Sequence, residues 1–266
     1  MSGTMSTVKA VLLILFLTAC NSNANNSYKH VDVKPPVENT ETLIDVELEA
    51  PCPNEMTYIY GNYCPKVKQE CLDWIDDVTL PYARCRKYKE PSVCLTPRIA
   101  MSFCINTEEL NDNFGVPYGN KSWTECKAIC ENRGAKLCNE EQWNFACEGE
   151  AMLPYPYGYE FSTTICNVER EHIVCGNKIC DLRANISEYP KCISPFGIHN
   201  MVGNCDEWVI TPLHYSSTVS GLSMRSGLKG GHFGGGRHRC RPMTADHSEH
   251  FRNDPTLGCR CCSDIK

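Results

Sequence analysis

The chain has 266 residues, a formal net charge of −6 at pH 7 and 20 cysteines. That length allows one domain with a real core or two small ones, and the acidic balance provides no basic field for nucleic acid. Twenty cysteines without a pair of C-x-x-C motifs exclude ordinary zinc modules and point to a disulfide framework in an oxidising compartment.

The N-terminus "MSGTMSTVKAVLLILFLTAC" carries Lys9 before an apolar run from Ala10 to Leu17. A bilayer span takes about 20 residues, so the run reads as an export signal over residues 1–19. Its end, Leu17-Thr18-Ala19-Cys20, resembles the bacterial lipobox, whose cysteine is diacylated and becomes the first residue of the mature protein. A plain signal peptide with a chance cysteine is the alternative. The resemblance implies a bacterial envelope protein whose membrane partner is reached through lipidated Cys20. Asn21 stands where an aspartate tends to hold such proteins at the inner membrane, so the outer membrane is expected. Removing Cys20 from the count leaves an odd number of cysteines, so at least one thiol is free or bonds elsewhere.

Residues 20–50 lack a periodic apolar face and read as a disordered tether, with a short strand around Leu43 to Leu48 as the alternative. Cysteines run from Cys52 to Cys262, so the folded unit is set at 51–262. Within it "EMTYIYG" and "AMSFCI" read as short strands. Ser122 with Glu125 makes a capping box, and Trp123, Cys126, Ile129 and Cys130 share a helix face that Gly134 ends. Asn139 with Gln142 repeats the device before Trp143, Ala146 and Cys147. Further on, "HNMVGNCDEWV" crowds Asn200, Asn204, Asp206 and Glu207 among strand-like apolar residues. Each polar group buried there without a partner would cost roughly 1–3 kcal/mol, so either the loop is exposed or something satisfies it.

These pieces together resemble the formylglycine-generating enzyme (sulfatase-modifying factor) family. The carriers are "SWTECKAICENRGAKLCNEEQWNFACEGE", "YPYG", "FGIHNMVGNCDEWV", "KGGHFGGGRHRCRP" and "LGCRC". The resemblance implies an α+β, C-type-lectin-like fold with two main helices, short antiparallel sheets and much irregular chain. The stretch at about 62–97, with Cys64, Cys71, Cys85 and Cys94, stands out as a cysteine-rich insertion.

The resemblance also implies roles. A structural calcium ion would be held by Asn200, Gly203, Cys205 and Glu207, the glycine and cysteine through carbonyls, with Asn204 and Asp206 bracing the loop or adding ligands. An exposed turn is the alternative. A second calcium loop would begin at Asn167 and Val168. Cys130 would bond to Cys261, and Cys147 could use Cys240. The family's enzymes oxidise a substrate cysteine at copper held by two thiolates five residues apart. Here Cys240 matches the second thiol, but Gly235 stands at the first, so copper is not expected.

Two functions follow. The first is a non-catalytic domain binding a protein, peptide or glycan through a surface with Arg237, His238, Arg239 and Arg241. Tyr155, Tyr157 and Trp208 could add stacking surface, although Trp208 also suits a core. The second is a divergent metal-dependent oxidoreductase using His232 and Cys240, with His238, His247 and His250 nearby in sequence.

Overall fold

The computed structural model describes residues 51–80, 83–216, 223–245, 247–252 and 255–266, without side chains at 212–216 and 223–225. The export signal, Cys20 and the tether lie outside the described residues.

The strand "MTYIYGNY" forms β1 (Met56–Tyr63). The insertion follows as β2 (Val67–Lys68), β3 (Cys71–Trp74), β4 (Cys85–Tyr88) and β5 (Val93–Cys94). It pairs with itself, β2 with β5 and β3 with β4, and two disulfides close it, Cys64–Cys94 and Cys71–Cys85. Leu72, Trp74, Val78, Leu80 and Val93 stay exposed, so this piece has little core of its own. Cross-links that restrict the unfolded chain hold it instead.

The chain returns as β6 (Ile99–Asn106), antiparallel to β1, with buried Ile59 opposite buried Phe103. Helix α1 (Trp123–Asn132) starts at the Ser122–Glu125 capping box and buries Trp123, Cys126 and Cys130. After β7 (Lys136–Leu137), α2 (Glu140–Glu148) starts at the Asn139–Gln142 box. A small hairpin, β8 (Val174–Cys175) and β9 (Lys178–Ile179), is closed by Cys175–Cys180. The last strands are β10 (Asp206–Ser216), β11 (Ser223–Lys229), β12 (Met243–Thr244), β13 (Leu257–Gly258) and β14 (Cys261–Ser263).

Two four-stranded sheets result, in the orders β1-β6-β14-β7 and β12-β11-β10-β13. All the ladders are antiparallel except the short parallel pairing of β10 with β13. The fold is therefore α+β, with long irregular segments. Trp143 and Trp208 are fully buried and anchor two apolar clusters, one around α2 and one around α1. Disulfides fasten these helices to the C-terminal segments: Cys126–Cys259 and Cys130–Cys261 from α1, and Cys147–Cys240 from α2. Nine disulfides leave buried Cys205 as the free thiol among the described residues.

Candidate functional site: an open cleft beside a closed polar knot

The polar stretch before β10 is buried. Asn200, Asn204, Asp206 and Glu207 are each at most 4% exposed, which corrects the reading of an exposed turn. Asn200 and Asn204 adopt left-handed backbone, and so does Gly203. A β-carbon on Gly203 would lie 2.4 Å from the Asn167 carbonyl oxygen and 2.5 Å from a Val168 methyl, so only glycine fits. The two expected ion loops thus meet in one knot. The Asn167 amide donates to the Asn204 side-chain oxygen and to the Leu182 carbonyl, both at 2.9 Å. Asn204 donates in turn to Glu109 at 2.7 Å, and the Cys205 N–H donates to the other Glu109 oxygen at 3.3 Å.

Glu207 closes the knot. Its Oε1 lies 2.7 Å from Arg260 Nη2, and Arg260 Nε is 2.9 Å from both carboxylate oxygens. Trp143 Nε1 donates to Oε2 at 2.7 Å. Arg260 Nη1 and Nη2 also donate to the Asn106 and His199 carbonyls. Each Glu207 oxygen already faces two donors, and a buried guanidinium stands where a cation would be drawn. Glu207 is thus the partner of Arg260 and Trp143, an arrangement that competes with the calcium ion expected on Asn200, Gly203, Cys205 and Glu207. Burial, reinforced by Glu207, pushes the Glu109 carboxyl up to about 8. Burial and Glu109 push the Cys205 thiol well above its ordinary value.

The glycine loop after β11 is different. Asp206 reaches into it, accepting from the Gly231 N–H at 3.0 Å and from Arg237 Nη2 at 2.9 and 3.1 Å. His238 is 2% exposed, with Nε2 at 2.7 Å from the His232 carbonyl oxygen and Nδ1 at 3.3 Å from Glu169. Glu169 also pairs with Arg84 at 2.6 Å, and Arg84 grips both oxygens of Asp76. His238 and Arg84 together hold the Glu169 carboxyl down to about 2, against its partial burial. Arg241 turns inward to Glu148 and to the Cys64 and Pro65 carbonyls. Arg239 donates to the Tyr88 hydroxyl.

Between these residues lies a cavity of about 900 Å³, lined by Arg84, Glu169, Gly235, Arg237, Arg239 and Met243 among others. Of the four residues expected to form a ligand surface, Arg237 and Arg239 face this cavity. His238 is buried behind the loop, and Arg241 is tied to α2. Tyr155 and Trp208 are buried, and Tyr155 stacks on half-buried Tyr157, so the expected stacking surface is corrected to core. Cys240 is bonded to Cys147, which removes the thiol that the oxidoreductase reading needed. His232 Nδ1 accepts from the Gly234 N–H, and burial pulls its imidazole below the ordinary value. His250 bonds Thr124, and His247 stacks on Phe251, so these rings do not gather at Cys240. Among the described residues no group of three His, Cys, Asp or Glu side chains is placed to hold a metal.

Arg84, Tyr88 and Glu169 were not marked as site residues by the sequence. The first two come from the insertion, whose motif content is only cysteine spacing. Arg260 sits inside the "LGCRC" block, and a lone guanidinium between cysteines of a disulfide framework is the sequence signal that could have found it.

Comparison with known proteins follows the same outline. The sulfatase-modifying factor enzyme 1-like domain matches residues 85–265. The chain is 27% identical over 163 residues to the Bos taurus protein named inactive C-alpha-formylglycine-generating enzyme 2, covering 58% of this chain and 52% of that one. The Mus musculus protein of the same name is also 27% identical, with 58% and 51% covered. The chain thus spans about half the length of these relatives. Among solved structures, CarF superposes with a TM-score of 0.55 at 13% identity, covering 80% of this chain and 99% of CarF, a likeness of fold.

Proposed function

The chain belongs to the sulfatase-modifying factor enzyme 1-like family, and from that premise we propose that it is a non-catalytic member that binds an extended peptide in the glycine-loop cleft. We further propose that it does so at the bacterial envelope, anchored through lipidated Cys20. The observation that carries the reading is the fate of the thiol pair. Gly235 opens onto the cavity where the first thiol would stand, and Cys240 is locked to Cys147. A cleft of this size with no reactive sulfur suits binding rather than oxidation. The names of the mammalian relatives, inactive forms of the enzyme, support the same reading. Nine disulfides and the lipobox-like Cys20 support export, because such a framework persists outside reducing compartments.

A cysteine-containing peptide offered to the mature protein with a cuprous salt and oxygen should be oxidised no faster than in the same mixture without protein. Alkylation should label no thiol in the native protein and Cys205 alone after denaturation without reductant. Catalytic turnover of the peptide, or a native Cys240 thiol protected by copper, would overturn the reading.

A further inference from the structure

We propose that the cleft selects an acidic side chain, aspartate or glutamate, on its peptide, and that Arg239 reads it. This rests on the cleft being a peptide site. The first support is the state of the arginines. Arg84 is paired with both Asp76 and Glu169, and Arg237 with Asp206. Arg239 is half-buried and lines the cavity, and among the described residues its guanidinium meets only the neutral Tyr88 hydroxyl. A guanidinium carries five donors in a fixed fork, and one bond to Tyr88 leaves the others available to a ligand in the cavity that Arg239 lines. Tyr88 is 3% exposed and packs edge-on against Tyr155, so the hydroxyl that orients the fork is itself fixed. A donor set held this way is matched by a carboxylate, which accepts two parallel N–H bonds. Glu169 is the acid that lines the cavity, and Arg84 and His238 already face its charge.

The second support is the shape. Beside the cavity at Met243 lie a small pocket at Arg239 and Phe161 and a groove of about 500 Å³ lined by Ile75, Arg86, Phe161 and Ser162. Arg84 borders all three, so they are neighbours that one ligand longer than a single residue could reach. Gly235 and Gly236 present main chain without side chains in front of it. A β-carbon on Gly236 would meet nothing within 4 Å, and one on Gly235 would meet only Glu169, at 3.7 Å. Bare backbone beside apolar walls suits an extended chain that bonds through its amides. A sugar would look for exposed ring faces, whereas Tyr155 and Tyr157 are stacked on each other.

The test uses two pools of fluorescein-labelled, N-acetylated heptapeptides, randomised except at a central Asp in one pool and Asn in the other. Anisotropy is read against the mature protein. The Asp pool should half-saturate at roughly tenfold lower protein concentration, the size expected for one charge-assisted fork. Arg239→Gln should erase that difference with the melting temperature held. Gly235→Leu should abolish binding of both pools by filling the cleft. Equal binding of the two pools, still blocked by Gly235→Leu and indifferent to Arg239→Gln, overturns acid selection and leaves the cleft reading standing. No binding of either pool overturns both, and binding of a uronic-acid oligosaccharide instead overturns the peptide assignment.

Discussion

The knot around Glu207 and the cleft around Arg239 are built from the same materials, carboxylates and guanidiniums beside left-handed glycines, and they end in opposite states. In the knot, Arg260 is fully buried, and its donors are divided among Glu207, Asn106 and His199. In the cleft, Arg239 keeps one neutral partner and faces a cavity. What separates a structural polar cluster from a binding surface is therefore how many donors remain unmet, not which residue types are present.

Arg260→Ala tests the contrast at its largest expected effect. It leaves the Glu207 carboxylate buried with one donor from Trp143, and breaking such a pair costs about 3–5 kcal/mol. Arg239→Ala should change stability by less than about 1 kcal/mol, because its partner is neutral and it is partly solvated. Urea unfolding of the two variants gives the comparison directly. Equal losses would mean that the cleft arginine is as structural as the buried one.

The next effect is one of pH. The Glu109 carboxyl lies at about 8 in the folded protein, above its ordinary value of 4.5. The folded state therefore holds this proton while the unfolded state releases it. The contribution of the group is whole below the unfolded value and is lost as pH climbs toward 8. Stability from this group should fall by about 3 kcal/mol between pH 5 and pH 8. Glu109→Gln should flatten that slope in melting curves taken across the range, and an unchanged slope would show that Glu109 is ionised within the knot.

Cys147→Ser with Cys240→Ser should cost about 2 kcal/mol, the low end for a disulfide, because Cys138–Cys262 and Cys130–Cys261 already restrain the same loop. A sharper version restores the thiol pair that the resemblance implies for the family's enzymes. The double variant Gly235→Cys, Cys147→Ser places two thiols five residues apart on the loop. It should retain a cuprous ion through dialysis that the wild type does not hold. Equal copper retention by both proteins would show that the spacing is not what the metal reads.

The sequence disclosed what is local. Ser122 with Glu125 and Asn139 with Gln142 set both helix starts, because a capping box acts over a single turn. Cys130 with Cys261 came through the family likeness, as did the expectation of short antiparallel sheets. The state of the knot was hidden. Asn204 meets Glu109 from 95 positions away and Glu207 meets Arg260 from 53, and local pattern does not say whether a polar side chain faces water or another polar side chain. The cleft's far wall was hidden for a related reason. Arg84 and Tyr88 sit in the insertion, and their positions depend on how β4 docks on the 155–161 loop through the Tyr88–Tyr159 and Phe161–Arg86 main-chain bonds.

Removal of calcium gives the smallest expected effect. An ion on Asn200, Gly203, Cys205 and Glu207 would bind the folded state alone and raise its stability with concentration. Arg260 already neutralises Glu207, and Trp143 takes a further lone pair, so such a term should be small. A chelator added to the mature protein should shift its melting temperature by less than about 1 °C, and millimolar calcium should not raise it. A larger fall that calcium restores, and that Glu207→Ala abolishes, would mean that the carboxylate can leave the guanidinium for an ion. The knot would then be a ligand site like the cleft, and the difference between them would be one of occupancy rather than of unmet donors.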